Sequence, residues 1–238
     1  MIITRPGHAR GHAAHGWLDS RHSFSFGHYH DPRWMGFGAL RVINEDRIAP
    51  GGGFAPHRHA NMEILSIVLA GALAHRDSAG HEGVLRPGEV QWMSAGHGIE
   101  HSEYNGDPAQ TTHFLQIWIQ PDRVNAAPDY AQLAFDPAAR SGRWDTLASG
   151  YGRAGGLPIR QDAALRAVRL ATGTAVEARL DATRGHWLHV AGGTVRVAGE
   201  RELAAGDALG FIDEGGVLEI AGVGDQQAEV LWFDLPRP

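Results

Sequence analysis

Short apolar runs alternate along the chain with clusters of turn-forming residues, and almost no stretch repeats its apolar positions with a helical period. The runs fall at 37–43, 62–69, 90–93 and 112–119, then at 167–170, 187–190, 194–197, 208–212, 217–220 and 228–233. Gly, Pro, Asn and Asp gather between them, at 46–53, Gly71, 86–88, Gly192 with Gly193, and Gly206 with Asp207. These residues supply positive φ, a pre-set φ or a side-chain turn bond, so each cluster predicts a reversal of the chain. Many short strands at near-regular spacing predict an all-β antiparallel sandwich or barrel rather than an α/β fold.

The segment 121–156 interrupts this pattern with Pro128, Pro137, Ser141-Gly142 and Ser149-Gly150-Tyr151-Gly152, and reads as a linker. The strand pattern then restarts. Leu69-Ala70-Gly71-Ala72-Leu73 precedes Arg86-Pro87-Gly88-Glu89 in the first half, and Val190-Ala191-Gly192-Gly193-Thr194 precedes Ala204-Ala205-Gly206-Asp207 in the second. Both read strand, glycine turn, strand, then a Gly-acid turn into another strand. The expectation is a duplicated barrel, with domains at 1–128 and 129–238.

Composition narrows the chemistry. A length of 238 residues holds one large or two small domains, and either can bury a core without staples. With no cysteine, disulfides, thiolate zinc sites, iron–sulfur clusters and a cysteine nucleophile are excluded. The net charge of −6 and the absence of a basic stripe argue against direct nucleic-acid binding. No run approaches about 18 apolar residues, so no membrane span is expected, and the start lacks the apolar core of a signal peptide. A cytoplasmic monomer is expected. Histidine is abundant at 15 residues, and all but His186 and His189 lie in the first half.

Two pairs within that half have ligand-like spacing: His57-Arg58-His59 and His101-Ser102-Glu103. In a strand, residues i and i+2 share a face, so two neighbouring strands could bring three imidazoles and a carboxylate to one point. That donor set suits a divalent first-row metal with positions left for solvent or substrate. H-x-H pairs also occur in exposed strands without any metal, so the spacing leaves both readings open. His28 and His30 have the same spacing, but Asp31-Pro32 predicts a turn there. His8, His12 and His15 read as a solvated edge. The aromatic residues Phe24, Phe26, Trp34, Phe37 and Trp92 could line a flat pocket or fill the core.

Gly51, five residues on, His57-Arg58-His59, and then Glu63 follow the first cupin motif, and Gly98 with His101 follows the end of the second, with Glu103 as a departure. His22-Ser23-Phe24-Ser25-Phe26-Gly27, Tyr29-His30-Asp31-Pro32, His75-Arg76-Asp77-Ser78, the stretch from Gly88 to Gly96 and His113-Phe114-Leu115-Gln116-Ile117-Trp118 carry a more specific likeness. Over residues 22–118 the sequence resembles the pirin family of bicupins; the second half agrees in layout only. The resemblance implies two jelly-roll (double-stranded β-helix) barrels, the second a degenerate cupin without metal. It implies one metal ion held by His57, His59, His101 and Glu103, usually Fe(II), with Ni, Cu, Co, Mn and Zn also compatible with such ligands. Glu63, a ligand in other cupins, is then not one.

The same resemblance implies a quercetin 2,3-dioxygenase-type oxidoreductase, which opens the heterocyclic ring of a flavonol with O₂. Glu103 would serve as ligand and as the base for the 3-hydroxyl, and His97, Glu63 and Gln116 are near enough in sequence to fix the imidazoles by their other nitrogens. A second function class stays open: a non-catalytic, metal-binding redox sensor or regulator with a macromolecular partner, as an animal relative acts. A third is a sugar-isomerase-like cupin with a polar pocket.

Overall fold

The computed structural model describes the backbone of residues 1–238 and all side chains except those of residues 137 and 139. The first strands are β1 (Ile2–Arg5), β2 (Gly11–Ala14), β3 (Leu18–His22), β4 (Leu40–Ile48), β5 (Gly53–His59), β6 (Glu63–Ala70) and β7 (Leu73–Asp77). β8 (Glu82–Leu85), β9 (Glu89–Ser94), β10 (Ile99–Asn105), β11 (Thr112–Ile119), β12 (Asp129–Ala134), β13 (Asp145–Gly150) and β14 (Leu157–Ile159) follow. The last are β15 (Ala164–Leu170), β16 (Ala175–Leu180), β17 (Arg184–Gly192), β18 (Thr194–Val197), β19 (Arg201–Ala204), β20 (Ala208–Ile212), β21 (Gly216–Val223) and β22 (Ala228–Pro236). Among the described residues, no helix is long and apolar enough to cross a membrane.

Two compact units result, one of residues 11–135 with 159–161, the other of 1–10, 136–158 and 162–238. β1 belongs to the second unit because it pairs antiparallel with β20, and β12 to the first because it pairs with β9. A division after residue 128 would place both segments the other way. β12 and β13 also lie inside the segment read as a linker. β12 is largely exposed and β13 buries mainly small residues, so neither shows an apolar run.

The fold class is the expected one: all-β, two antiparallel jelly rolls. Each unit is a sandwich of separate sheets rather than one closed hydrogen-bonded barrel. In the first unit a seven-stranded sheet, β12-β9-β6-β11-β4-β3-β2, accompanies a four-stranded sheet, β5-β10-β7-β8. Leu18, Ile48, Val68 and Phe114 of the larger sheet pack with Leu73 and Leu85 of the smaller one. Each such side chain contributes about 1.5–3 kcal/mol on burial.

Strand register then explains what lies above that apolar layer. His22, Asn44, Gln116, Ser66 and Gln91 are matched across β3, β4, β11, β6 and β9, and all are buried. Directly opposed residues share a face, so the interior of this unit carries a polar row across five strands. Trp118, Ile64 and Met93 form the next, apolar row.

Candidate metal centre

β5 and β10 run antiparallel with His57 opposite His101 and Ile99 opposite His59. His57 and His59 are half-buried on one face, while exposed Arg58 bonds Glu100 at 3.1 Å. The register shifts before Glu103, which opposes Phe54, so Ala55 and Pro56 form a bulge on β5. Proline, lacking an N–H, suits such a break in the ladder. The extra residue turns Phe54 to the same side as His57, and their rings lie 6.3 Å apart.

Three imidazoles converge there. Ring centroids lie 4.4 Å apart for His57 and His101, and 4.8 Å for both His57–His59 and His59–His101. Nε2 of His59 and Nε2 of His101 are separated by 2.9 Å. Nδ1 of His57 lies 2.8 Å from the Ala55 carbonyl, which accepts its hydrogen and leaves Nε2 as the nitrogen with a lone pair. One donor atom from each of these three residues fits within 4.8 Å of the others.

Glu103 sits beside this triad rather than inside it: its carboxylate falls within the same limit of His101 and His75. Gln116 donates to Glu103 Oε2 at 2.8 Å and Ser66 to Oε1 at 3.4 Å, and Ser66 also donates to Gln116 at 2.6 Å. Gln116, expected as one of several candidates to fix an imidazole, instead holds the carboxylate of Glu103. Glu63 does not. It lies on the opposite face of β6 from Ser66, where Trp92 Nε1 and Ser94 Oγ donate to it at 2.8 and 2.5 Å and the Arg160 backbone at 3.0 Å. His97 is exposed, with its backbone N–H on Ala126.

His75 is the neighbour that spacing alone did not single out. Its Nδ1 lies 3.4 Å from Nδ1 of His101, and its Nε2 3.5 Å from Asp77. The two nitrogens of His101 point apart, one toward His59 and one toward His75, so a single ion cannot take both. A hydrogen on His101 Nδ1 directed at His75 frees Nε2 for a metal, the usual support for a metal-binding histidine, with the Asp77 carboxylate beside His75 but not hydrogen-bonded to its Nε2. Tyr130 stacks on His75 and His81 at 5.3 and 4.8 Å, and His81 bonds Asp77 at 3.0 Å.

Burial sets the protonation states. It lowers His101 to about 2, helped by His57, His59 and His75, and lowers His59 to about 4, helped by His57. Neutral rings with available lone pairs are what a metal requires. Burial raises Glu103 to about 7, against the donors Gln116 and Ser66 and with the nearby Asp46 adding to the rise. Burial likewise raises Asp46 to about 7, against a hydrogen bond from Ser20.

His57, His59 and Glu103 open onto a cavity of about 790 Å³. Its aromatic walls are Trp17, Phe26, Tyr29, Phe54 and Trp118, with Trp118 4.9 Å from His59. Of the aromatic residues considered from sequence, only Phe26 lines it. Phe24, Phe37 and Trp92 are core, at 1%, 5% and 2% exposure, and Trp34 stands outside. His12, His15 and His28 reach the rim, while His28 and His30 join no ligand group among the described residues.

Residues 4–119 match the Pirin family and residues 146–235 the quercetinase C-terminal cupin domain. A pirin-like protein of Caulobacter vibrioides is 44% identical over 235 residues, covering 98% of this chain and 99% of its own length. An Escherichia coli K12 protein named quercetin 2,3-dioxygenase is 44% identical over 236 residues, covering 99% of each. The crystal structure of bacterial pirin YhhW in complex with nickel(II) from Escherichia coli matches with a TM-score of 0.92 and 41% identity over 100% of both chains. Sequence agreement over the full length, on the same duplicated fold, shows that the chain belongs to the pirin family.

Proposed function

We propose that the chain is a mononuclear metal-dependent dioxygenase of the quercetin 2,3-dioxygenase type, with His57, His59, His101 and Glu103 as ligands of one divalent ion, Fe(II) in the native protein. The observation that carries this reading is the convergence of three imidazoles at an aromatic-walled cavity that also holds a carboxylate. The donor set fits such an ion: three neutral nitrogens and one carboxylate leave a site of roughly +1 charge that favours an anionic oxygen ligand. The nickel-bound relative and the dioxygenase relative are in keeping with it.

A bound ion would supply Lewis acidity toward the substrate's 3-hydroxyl and 4-carbonyl oxygens. The protein's part is to bind, orient and accept a proton. A cavity of about 790 Å³ lies within the usual range for small-molecule sites, and its aromatic walls suit a flat ring system. Glu103, steadied by Gln116 and Ser66 and lining the cavity, is the carboxylate placed to take the 3-hydroxyl proton. Trp118, against His59, shields that side of the cluster from water.

Iron-loaded protein incubated aerobically with quercetin should bleach the flavonol band and release carbon monoxide. Intact stoichiometric metal with neither change would overturn the activity for this substrate.

A further inference from the structure

A second polar group faces the same cavity. Asn44 and Asp46 stand two residues apart on β4, both buried and both lining it. Ser20, the register partner of Asp46, donates its hydroxyl to Asp46 Oδ1 and lies 2.7 Å from Nε2 of His22, the register partner of Asn44. Two acceptors remain. Asp46 Oδ2 takes no protein hydrogen bond among the described residues, and Asn44 Oδ1 is buried without a partner.

Leaving a buried polar atom unpaired costs about 1–3 kcal/mol, and Asn44 Oδ1 is such an atom, while Asp46 lines the cavity beside it, so this wall points to donors brought by a ligand. The lining contains neither Lys nor Arg, so away from the metal ligands a carboxylate or phosphate would meet an acceptor wall with no fixed countercharge. A flat, neutral ring bearing hydroxyl donors matches both the aromatic walls and the acceptors.

We propose that Asp46 and Asn44 form a recognition pole that accepts hydrogen bonds from phenolic hydroxyls on the pendant ring of the ligand, so that the pocket selects polyphenols hydroxylated at that end. This rests on the phenolic reading of the pocket. Asn44 adjoins Gln116 in register, and Gln116 holds Glu103. The pole is therefore one strand from the carboxylate that would take the 3-hydroxyl proton. In a flavonol, the ring attached to the neighbouring carbon is the one that reaches it.

The test is an anaerobic fluorescence titration of metal-loaded protein with three flavonols carrying two, one or no hydroxyls on the pendant ring. Wild-type affinity should fall about tenfold to a hundredfold from the first to the last, the range expected for two hydrogen bonds to buried acceptors. In Asp46→Ala the three should bind within about threefold of one another, at unchanged metal content. The isosteric Asp46→Asn, which preserves packing should the alanine variant not fold, should give an intermediate gradient. Equal binding of the series by wild type, or an unaltered gradient in both variants, overturns the pole while leaving a phenol pocket in place. No binding of any flavonol to fully metallated protein overturns the pole and the phenolic reading together.

Discussion

In the unit with the histidine cluster the large sheet runs β12-β9-β6-β11-β4-β3-β2, and in the other it runs β1-β20-β17-β22-β15-β13-β14. The small sheets run β5-β10-β7-β8 and β16-β21-β18-β19. Strands β4 to β11 of one unit thus take the places of β15 to β22 in the other, and the edge that β12 covers in the first is covered by β1 in the second. The interiors differ. Where β5 and β10 turn His57, His59, His101 and Glu103 inward, β16 and β21 contribute Val176, Ala178, Leu180, Leu218 and Ile220 to an apolar core. Where the first unit has its polar row, the second has register-matched rows such as Val168–Val230–Val190. The jelly roll needs buried volume, which both interiors supply; a metal site needs clustered donor side chains, which among the described residues only the first brings together, since the second buries His186 against Trp232 apart from any such group, and which burial makes costly.

The largest expected effect comes from changing one residue in each interior. His101→Ala should reduce bound metal from one ion per chain to below about a tenth, since it removes the ring shared by both ligand groups. Leu188→Ala, in the second core, should destabilise the protein by about 2–5 kcal/mol and leave one ion per chain. Metal analysis beside urea unfolding checks both. Metal retained by His101→Ala, or lost from folded Leu188→Ala, would break the assignment of chemistry to one unit.

Next is the pH dependence of the polar interior. Asp46 titrates near 7 in the folded chain against an ordinary 3.8, so between those values the folded state holds a proton that the unfolded state has released. Stability contributed by this group is therefore lost as pH rises from about 4 to 7. Asp46→Asn lacks that loss, so its stability relative to wild type should climb by about 1.4 kcal/mol per pH unit across the window, to a few kcal/mol at pH 8. A pH-independent difference between the two proteins would mean that Asp46 is not buried as a carboxylic acid.

A smaller effect belongs to His75, which has no counterpart in the apolar interior. His75→Ala should weaken metal binding about 10–100-fold in a chelator competition, as loss of a hydrogen-bond partner to a metal-binding histidine does, while Asp77→Asn should weaken it less. Complete loss of metal from His75→Ala would instead make His75 a direct ligand.

The same contrast explains what could be read from the sequence. β11, β18 and β20 coincide with their apolar runs, because strands buried among apolar neighbours declare themselves by composition. β3 was not visible and β4 was cut short at 43, since their buried positions include Ser20, His22, Asn44 and Asp46. Polar residues turned inward to serve a cavity look like turn residues in a hydropathy pattern. The ligand-like pairs could be found because i, i+2 spacing survives the bulge-free parts of β5 and β10. The cavity walls could not: Phe54 faces inward through the bulge at Pro56, and Trp17, Tyr29 and Trp118 come from separate elements. His75 stood in a recognisable segment, but its contact with His101 depends on the pairing of β7 with β10.

The gentlest intervention makes the first interior more like the second. Asn44→Leu keeps the branching at Cγ, replaces a buried oxygen without a partner, and extends apolar character along the row between His22 and Gln116. Removing an unsatisfied group should raise stability by about 1 kcal/mol, read as a higher urea midpoint at unchanged m value. The same substitution should lower affinity for a flavonol with a hydroxylated pendant ring by about tenfold, the trade between stability and function expected where polar groups are kept for a ligand. If Asn44→Leu were destabilised and bound the flavonol normally, the polar row would be a structural hydrogen-bond layer of this unit, and the difference between the two interiors would lie in the histidine cluster alone.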